Sequence, residues 1–186
     1  MRPAIFLDRD GVINENRDDY VKSWQEVNFL PDVFDALKLL SLSAYRIILL
    51  TNQSVVGRGL LAESDLILIH KKMIKVIHRN GGRIDGIYYC PHHPDQDCKC
   101  RKPKPGLILK AAKKFSINLS QSYLVGDAES DMQTAINAGC NPVLVLTGRG
   151  REQLVAMSEV IRVKCHIANS LKDAAQWILE QTEYIQ

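Results

Sequence analysis

Short apolar runs that end in polar residues recur along this 186-residue chain. Because their apolar residues are continuous and do not alternate with polar ones, the runs predict strands of a parallel sheet that is buried on both faces. The five predicted strands are residues 4–7, 46–50, 86–89, 122–125 and 142–146.

Between these runs, apolar residues recur at spacings of three and four, which predicts amphipathic helices. The clear cases are residues 31–42, residues 62–79 and a segment that opens with Pro105, and the weaker ones are residues 130–138, 151–161 and 171–180. Alternating strands and helices predict an α/β fold, a Rossmann-like three-layer α/β/α arrangement around a central parallel sheet. Open sheets of this kind bind ligands at the carboxyl ends of their strands, where the polar residues of this chain lie.

Length and composition indicate a single globular domain over residues 1–186, because domains usually hold ~100–200 residues. Hydrophobic residues make up 46% of the chain and charged residues 24%, as in folded proteins. Apolar runs such as 47–50 and 66–69 hold four residues, whereas a membrane helix needs about 20. Charged residues at 8–10 interrupt the first apolar stretch, so no signal peptide is predicted. We therefore expect a cytoplasmic monomer with no membrane partner.

The formal net charge of +3 is too small to indicate a nucleic-acid partner, and we expect none. The positive charge is local, because residues 99–114 hold seven basic residues and no acidic one. Chemistry on a nucleic-acid end would need a continuous basic track, which salt-sensitive binding to DNA or RNA would reveal.

A pair of carboxylates follows the first predicted strand in the sequence Asp8-Arg9-Asp10-Gly11. Residues i and i+2 of an extended chain point to the same side, so Asp8 and Asp10 are expected to face one site. Gly11 allows the backbone to turn sharply and to approach a ligand. An isolated pair of this kind is usually a solvated loop, but its place at the end of a buried strand favours a functional site.

Three further elements follow in order along the chain: Thr51-Asn52 after the second strand, Lys102 before the Pro105 helix, and Gly126-Asp127 after the fourth strand. With the first motif, this order resembles the haloacid-dehalogenase-like (HAD) phosphohydrolase superfamily over residues 5–147. The resemblance implies a HAD-like fold and a phosphatase reaction. Only 43 residues separate the first motif from the second, and 51 separate the second from Lys102, so no large cap domain is expected.

The resemblance implies a role for each catalytic residue. Asp8 would be the nucleophile that forms an aspartyl-phosphate, and Asp10 would be the general acid and base. To act as an acid near neutral pH, Asp10 would need a raised pKa, which burial or the Asp8 charge would supply. The Thr51 hydroxyl, the adjacent Asn52 region and the Lys102 ammonium would hold the phosphoryl oxygens.

A catalytic Mg²⁺ is the expected cofactor, because oxygen ligands and a phosphate substrate suit this ion. Its ligands would be the Asp8 carboxylate, the Asp10 backbone carbonyl and Asp127. Asp131 has two open interpretations: a further anion behind the site, or a carboxylate that stabilises the start of a helix.

A cysteine- and histidine-rich loop at about residues 90–100 has the ligand types of a closed tetrahedral zinc site. Its candidate ligands are Cys90, His92, Cys98 and Cys100, with His93 as an alternative to His92. The other interpretation is a set of reduced cysteines in a polar loop, but the loop has little apolar material to bury them. Four protein ligands leave no open position, so this Zn²⁺ would be structural.

Within the superfamily, the zinc loop and the following Arg101-Lys102-Pro103 are similar to two families, the heptose 1,7-bisphosphate 7-phosphatases and the histidinol-phosphate phosphatases. The loop at 54–59 and the Tyr88-Tyr89 pair favour the first family. The resemblance implies that the partner is a small phosphorylated sugar, D-glycero-D-manno-heptose 1,7-bisphosphate, which would lose its C7 phosphate. Histidinol phosphate or another small sugar phosphate is the alternative substrate.

Residues that would hold the substrate follow from the same resemblance. They are Asn52, Arg101, Arg17, Asp18, Asp19 and Arg58. Family members often carry a basic residue after the last metal-binding aspartate, but this chain has Ala128, so one of the arginines would hold the non-reacting phosphate. As single residues, Arg17 and Arg58 are more often solvated surface charges.

A function of a different class is a catalytically silent module that zinc holds together and that binds sugar phosphates. Such a module is expected to lack at least one catalytic element. The chain retains them all, which favours an enzyme: Asp8, Asp10, Thr51, Lys102 and Asp127.

Overall fold

The structure, a computed structural model, describes residues 1–183 and is built around a parallel sheet. Its strands among these residues are β1 (Ala4–Leu7), β2 (Arg46–Asn52), β3 (Gly86–Cys90), β4 (Tyr123–Gly126), β5 (Asn141–Val145) and β6 (His166–Ala168). They lie in the order β3-β2-β1-β4-β5-β6, so β1 is flanked by β2 and β4. The α/β fold with a central parallel sheet is confirmed.

Helices connect successive strands. They are α1 (Val33–Ser41), α2 (Ser54–Gly57), α3 (Glu63–Arg79), α4 (Gly106–Phe115), α5 (Glu129–Ala138), α6 (Gly150–Ala156), α7 (Glu159–Arg162) and α8 (Leu171–Glu183). The β1–α1 connection and the β3–α4 connection each contain a short 3₁₀ turn, at Trp24–Glu26 and Pro94–Gln96. Within residues 1–183, neither connection carries a second sheet that would form a large cap.

Alternate residues of β1 build two separate cores, one on each face of the sheet. Ile5 and Leu7 pack in the cluster that includes residues of α1 and α8, whereas Ala4 and Phe6 pack in the cluster of α4 and α5. All four side chains are fully buried, and each Ile, Leu or Phe stabilises the fold by about 1.5–3 kcal/mol. Burial on both faces explains why the strand sequences are continuously apolar.

The structure corrects three details of the predicted elements. The helix predicted over residues 151–161 is two helices, because Met157 adopts an extended conformation and buries its side chain against Leu144 and Met132. The strand predicted over residues 46–50 continues to Asn52, so Thr51 lies inside β2. Strand β6 and helix α2 were not predicted, because three or four residues are too few to show a period.

Residues 1–183 contain no helix that is both long and apolar enough to cross a membrane.

Candidate active site

Three neighbouring strands bring polar side chains together at the carboxyl edge of the sheet. Leu7 of β1 pairs with Leu49 of β2 and with Val125 of β4. The polar residues at these strand ends are therefore adjacent: Asp8 after β1 in the centre, Thr51 within the last two residues of β2 on one side, and Asp127 after β4 on the other. All three are buried.

Lys102 enters this cluster from the loop between β3 and α4. Its ammonium lies 2.8 Å from Asp8 Oδ1 and 2.5 Å from Asp131 Oδ1. The Asn52 side chain holds the backbone of Lys102 at both ends, because Oδ1 accepts from Lys102 N at 3.1 Å and Nδ2 donates to Lys102 O at 3.2 Å. The Asn52 amide thus positions Lys102, and Asn52 also lines the cleft above the cluster.

The carboxylates of Asp8, Asp127 and Asp131 each offer an oxygen within 4.8 Å of the others, an arrangement that could hold a metal ion. Burial raises the pKa of Asp8, although Lys102 opposes it, and burial raises the pKa of Asp127 to about 6. Burial acts to lower the pKa of Lys102, but Asp131 and Asp8 outweigh it and raise that pKa, so Lys102 stays charged. One ammonium cannot neutralise three carboxylates, and a hard cation with oxygen ligands fits the remaining charge.

Asp131 satisfies both interpretations of its position. Its Oδ1 pairs with Lys102 inside the cluster, and its Oδ2 accepts from Ala128 N at 3.2 Å, at the start of α5. The residue is fully buried, so it is part of the site as well as a helix cap.

Two glycines permit the close approach of these carboxylates. A Cβ atom on Gly126 would lie 2.3 Å from Asp131 Cβ, and one on Gly11 would lie 2.0 Å from Asp127 Oδ2. Gly11 also has a φ of +84°, which side chains with a Cβ rarely adopt. Neither position accepts an alanine without displacing a carboxylate.

Asp10 accepts hydrogen bonds from three side chains. Arg9 Nη2 lies 3.0 Å from Oδ1 and 2.9 Å from Oδ2, Asn14 Nδ2 lies 2.9 Å from Oδ1, and Gln53 Nε2 lies 2.9 Å from Oδ2. Burial acts to raise the pKa of Asp10, but the Arg9 charge and these hydrogen bonds outweigh it and lower the pKa. The expected raised pKa is therefore wrong for the protein without substrate, because the donors stabilise the ionised form.

A polar cleft of about 310 Å³ opens above the cluster. Five arginines line it, Arg9, Arg17, Arg58, Arg101 and Arg149. Arg101 Nη1 is buried and has no hydrogen-bond partner within residues 1–183, so a donor is available to an anion in the cleft.

The predicted substrate residues Arg17, Asp18 and Asp19 occupy different surroundings. Arg17 and Asp18 line the cleft, and Asp18 Oδ1 lies 3.9 Å from Arg149 Nη2. Asp19 is bound by Arg17 and Lys22, which together lower its pKa to about 2. Its carboxylate therefore orders the loop, and it is not among the residues that line the cleft.

Sequence reasoning missed four site residues: Arg9, Asn14, Gln53 and Arg149. Gln53 stands two positions after Thr51 and donates to Thr51 Oγ1 at 2.8 Å, so the spacing i, i+2 could have indicated it. Asn14 and Arg149 belong to loops whose path has no signal in the sequence.

The four predicted zinc ligands come together beside the cleft, at the ends of β3 and its loop. Cys90 Sγ lies 3.4 Å from Cys98 Sγ and 3.5 Å from His92 Nδ1, and Cys100 Sγ lies 3.2 Å from His92 Nδ1 and 3.5 Å from Cys98 Sγ. The edges of a tetrahedron with metal–sulfur bonds of about 2.3 Å are close to these lengths. The alternative ligand His93 lies outside this group and accepts from Asp95 N through Nδ1.

Comparison with known proteins agrees with this geometry. The family model described as HAD-hydrolase-like matches residues 99–174. A D-glycero-beta-D-manno-heptose-1,7-bisphosphate 7-phosphatase of Neisseria meningitidis is 38% identical over 177 residues, which cover 95% of this chain and 95% of that protein. The protein of the same name from Bordetella bronchiseptica is 43% identical over 150 residues, which cover 81% of this chain and 84% of that protein.

The fold is also similar to a crystal structure, that of D,D-heptose 1.7-bisphosphate phosphatase from B. bronchiseptica complexed with magnesium and phosphate. The TM-score is 0.90 and the identity 38%, over 97% of this chain and 99% of that one. Identity of this size over nearly the whole of both chains establishes the family. This chain belongs to the family of D-glycero-β-D-manno-heptose-1,7-bisphosphate 7-phosphatases, within the HAD-like hydrolases.

Proposed function

We propose that this protein is a magnesium-dependent phosphatase that removes the C7 phosphate of D-glycero-β-D-manno-heptose 1,7-bisphosphate. The observation that carries the proposal is the buried Asp8–Lys102 pair, 2.8 Å apart, at the base of a cleft lined by arginines. A carboxylate nucleophile beside a fixed ammonium suits phosphoryl transfer, in which negative charge spreads over the phosphoryl oxygens. The names of the relatives support the bisphosphate and its β anomer.

In the first step, an Asp8 carboxylate oxygen attacks phosphorus and the ester P–O bond breaks. Asp10 gives a proton to the leaving sugar oxygen. Lys102 and the Thr51 hydroxyl stabilise the phosphoryl oxygens, since the Thr51 oxygen already accepts from Gln53 and its O–H is available to donate. Asp10 must first take up that proton, and a bound phosphate dianion that excludes water would raise its pKa.

In the second step, water attacks the aspartyl-phosphate while Asp10 accepts a proton from it. The P–O bond to Asp8 breaks, inorganic phosphate leaves, and the Asp8 carboxylate is regenerated. The hydrogen bonds that keep Asp10 ionised suit it to be the base of this step.

Magnesium would be held by the carboxylates of Asp8 and Asp127 and by the Asp10 backbone carbonyl. When bound, it supplies positive charge to the phosphoryl oxygens. The buried carboxylate cluster fits this ion, and the magnesium-bound structure of the B. bronchiseptica protein supports the choice.

The non-reacting phosphate would contact the arginines of the cleft. Arg101 has an unpaired buried donor and follows the metal loop directly, so we assign it the main contact. Arg17, Arg58 and Arg149 line the same cleft. They would take the place of the basic residue that family members often carry at the position of Ala128. Asp18 would accept from sugar hydroxyls.

A structural zinc ion would be held by the four-residue cluster of Cys90, His92, Cys98 and Cys100, since thiolates and one imidazole suit this metal. It would order the loop that delivers Arg101 and Lys102 to the site. We also propose that residues 1–186 act as one catalytic domain, as a cytoplasmic monomer.

Phosphate release with Mg²⁺ tests the proposal. We expect the β-anomer of the bisphosphate to give one equivalent of phosphate and the highest kcat/KM, with the α-anomer, histidinol phosphate and simpler sugar phosphates as competitors. A preference for histidinol phosphate would overturn the substrate. Tight binding of the bisphosphate without any phosphate release would support the silent binding module instead.

A further inference from the structure

We propose that His70, a residue of helix α3, is a positioning residue that fixes Asp10 through Arg9. The inference rests on the proposed phosphatase reaction, in which Asp10 protonates the leaving group. No sequence motif pointed to this histidine.

Arg9 is the largest fully buried side chain among the described residues, and its guanidinium is divided between two partners. On one side, Nε and Nη2 donate to Asp10, at 2.9–3.2 Å. On the other side, Nη1 lies 3.3 Å from Nε2 of His70. The planar guanidinium has its donors in a fixed fork, so holding Nη1 fixes the direction of the donors that face Asp10.

The direction of the Arg9–His70 hydrogen bond follows from chemistry. Arginine has no acceptor, so Nη1 donates and His70 Nε2 must be unprotonated. Burial lowers the pKa of His70 to about 3, and the Arg9 charge acts in the same direction, so the ring stays neutral. A buried donor of a charged group without its acceptor would turn toward another partner, and the orientation of Asp10 would change with it.

The surroundings of His70 fix the acceptor in turn. The residue is 4% exposed, and its ring packs against the Tyr89 ring with centroids 5.6 Å apart. The Tyr89 hydroxyl donates to Glu63 Oε1 at 2.9 Å, at the start of the same helix. Helix α3 and strand β3 thus place the Nε2 atom, although neither contributes a residue to the carboxylate cluster.

The test compares two substrates that differ in their need for a proton. A sugar phosphate loses a basic alkoxide, which Asp10 must protonate, whereas 4-nitrophenyl phosphate loses a stable anion without help. The value of kcat/KM reports the steps up to the first bond cleavage, so it isolates the acid role of Asp10.

We expect His70→Leu to lower kcat/KM for the sugar phosphate by at least about 10-fold, which is less than the full rate contribution of a general acid. For 4-nitrophenyl phosphate, we expect kcat/KM to fall by less than about 3-fold. His70→Gln, whose side-chain oxygen can replace Nε2 as acceptor, is expected to stay within about 3-fold of wild type on both substrates. If His70→Leu does not fold, His70→Asn, whose amide is too short to reach Arg9, takes its place with the same expectation.

Met73→Ala is the matched control. Met73 is fully buried on the same helix, packs in the apolar core and has an apolar side chain, so this variant destabilises the fold without changing the ratio between the substrates. Equal losses on both substrates in His70→Leu, or a His70→Gln variant as impaired as His70→Leu, would overturn the inference. Failure of the proposed function is distinguishable, because it is seen with wild type alone, which would then release no phosphate from the heptose bisphosphate or would prefer another phosphate ester. If wild type prefers another alkyl phosphate, the comparison is made with that ester.

Discussion

Lys102→Met tests most directly the hypothesis that the Lys102 ammonium stabilises negative charge in the site. The ammonium is buried and contacts Asp8 and Asp131 at 2.8 and 2.5 Å, and the Asn52 amide holds its backbone in place. Methionine fills a similar volume without charge, so the loop should keep its path while the only ammonium in contact with the cluster, among residues 1–183, is lost.

The expected magnitude follows from this burial. Removing one preorganised donor from a site where transition-state charge develops usually costs 10²–10³-fold in kcat, or about 3–4 kcal/mol. Breaking a buried ion pair by removing one partner costs about 3–5 kcal/mol of stability, and we expect the magnesium-free variant to lie at the lower end because the freed carboxylates can take up protons.

The assays are kcat with saturating Mg²⁺ and urea unfolding with and without it. Lys172→Met is the matched control, because Lys172 pairs with Asp35 at 3.0 Å on the exposed surface and its loss should change kcat by less than about 2-fold. A Lys102→Met enzyme that keeps kcat within about 5-fold of wild type would refute the assigned role of the ammonium.

Three further predictions concern the nucleophile, the charge of the cluster and the metal loop. Asp8→Asn should keep the circular dichroism spectrum and lower kcat by at least about 10³-fold, and substantial retained activity would exclude Asp8 as the nucleophile. In magnesium-free protein, burial raises the pKa of Asp127 to about 6, above its ordinary value, so the native state binds a proton that the unfolded chain releases. The free energy of unfolding should therefore fall, by up to about 3 kcal/mol, as pH rises from about 4 through 6. Addition of Mg²⁺ at about pH 7.5 should restore this free energy. A melting temperature that rises with pH in the absence of Mg²⁺ would contradict the prediction. Cys98→Ser should lower the zinc content, measured by emission spectrometry, below one ion per chain and lower kcat several-fold; unchanged zinc would contradict the ligand assignment.

Much of the fold could be predicted from sequence because burial on both faces of the sheet leaves continuous apolar strands. The strand at 4–7 was predicted with its observed bounds, since every one of its residues is buried. Strand β6 was missed because it has three residues at the edge of the sheet and only Ala168 of them is buried. The break after α6 was missed because the conformation of Met157 depends on a tertiary pocket, which local pattern does not record.

The site was predictable where function depends on position along a strand. Asp8 and Asp127 directly follow β1 and β4, and Thr51 lies near the carboxyl end of β2 on the other side of β1, so their proximity follows from parallel topology. The pKa direction of Asp10 was wrong because the charged Arg9 side chain folds back onto this carboxylate and two further donors, Asn14 and Gln53, arrive through a tight loop and a side-chain rotamer. Sequence spacing cannot report how many donors reach a half-buried carboxylate.

The Asn52 clamp has a consequence for how this enzyme can change over generations. Both of its hydrogen bonds end on the main chain of residue 102, so strand β2 recognises main-chain atoms and not the lysine side chain. The proposed zinc site holds the same segment from its other side, so two independent restraints position Lys102. Loss of either the Asn52 hydrogen bonds or the zinc ion should therefore lower kcat without abolishing activity. A lineage could therefore exchange the ligands of the metal loop one at a time and keep a working phosphatase at every step.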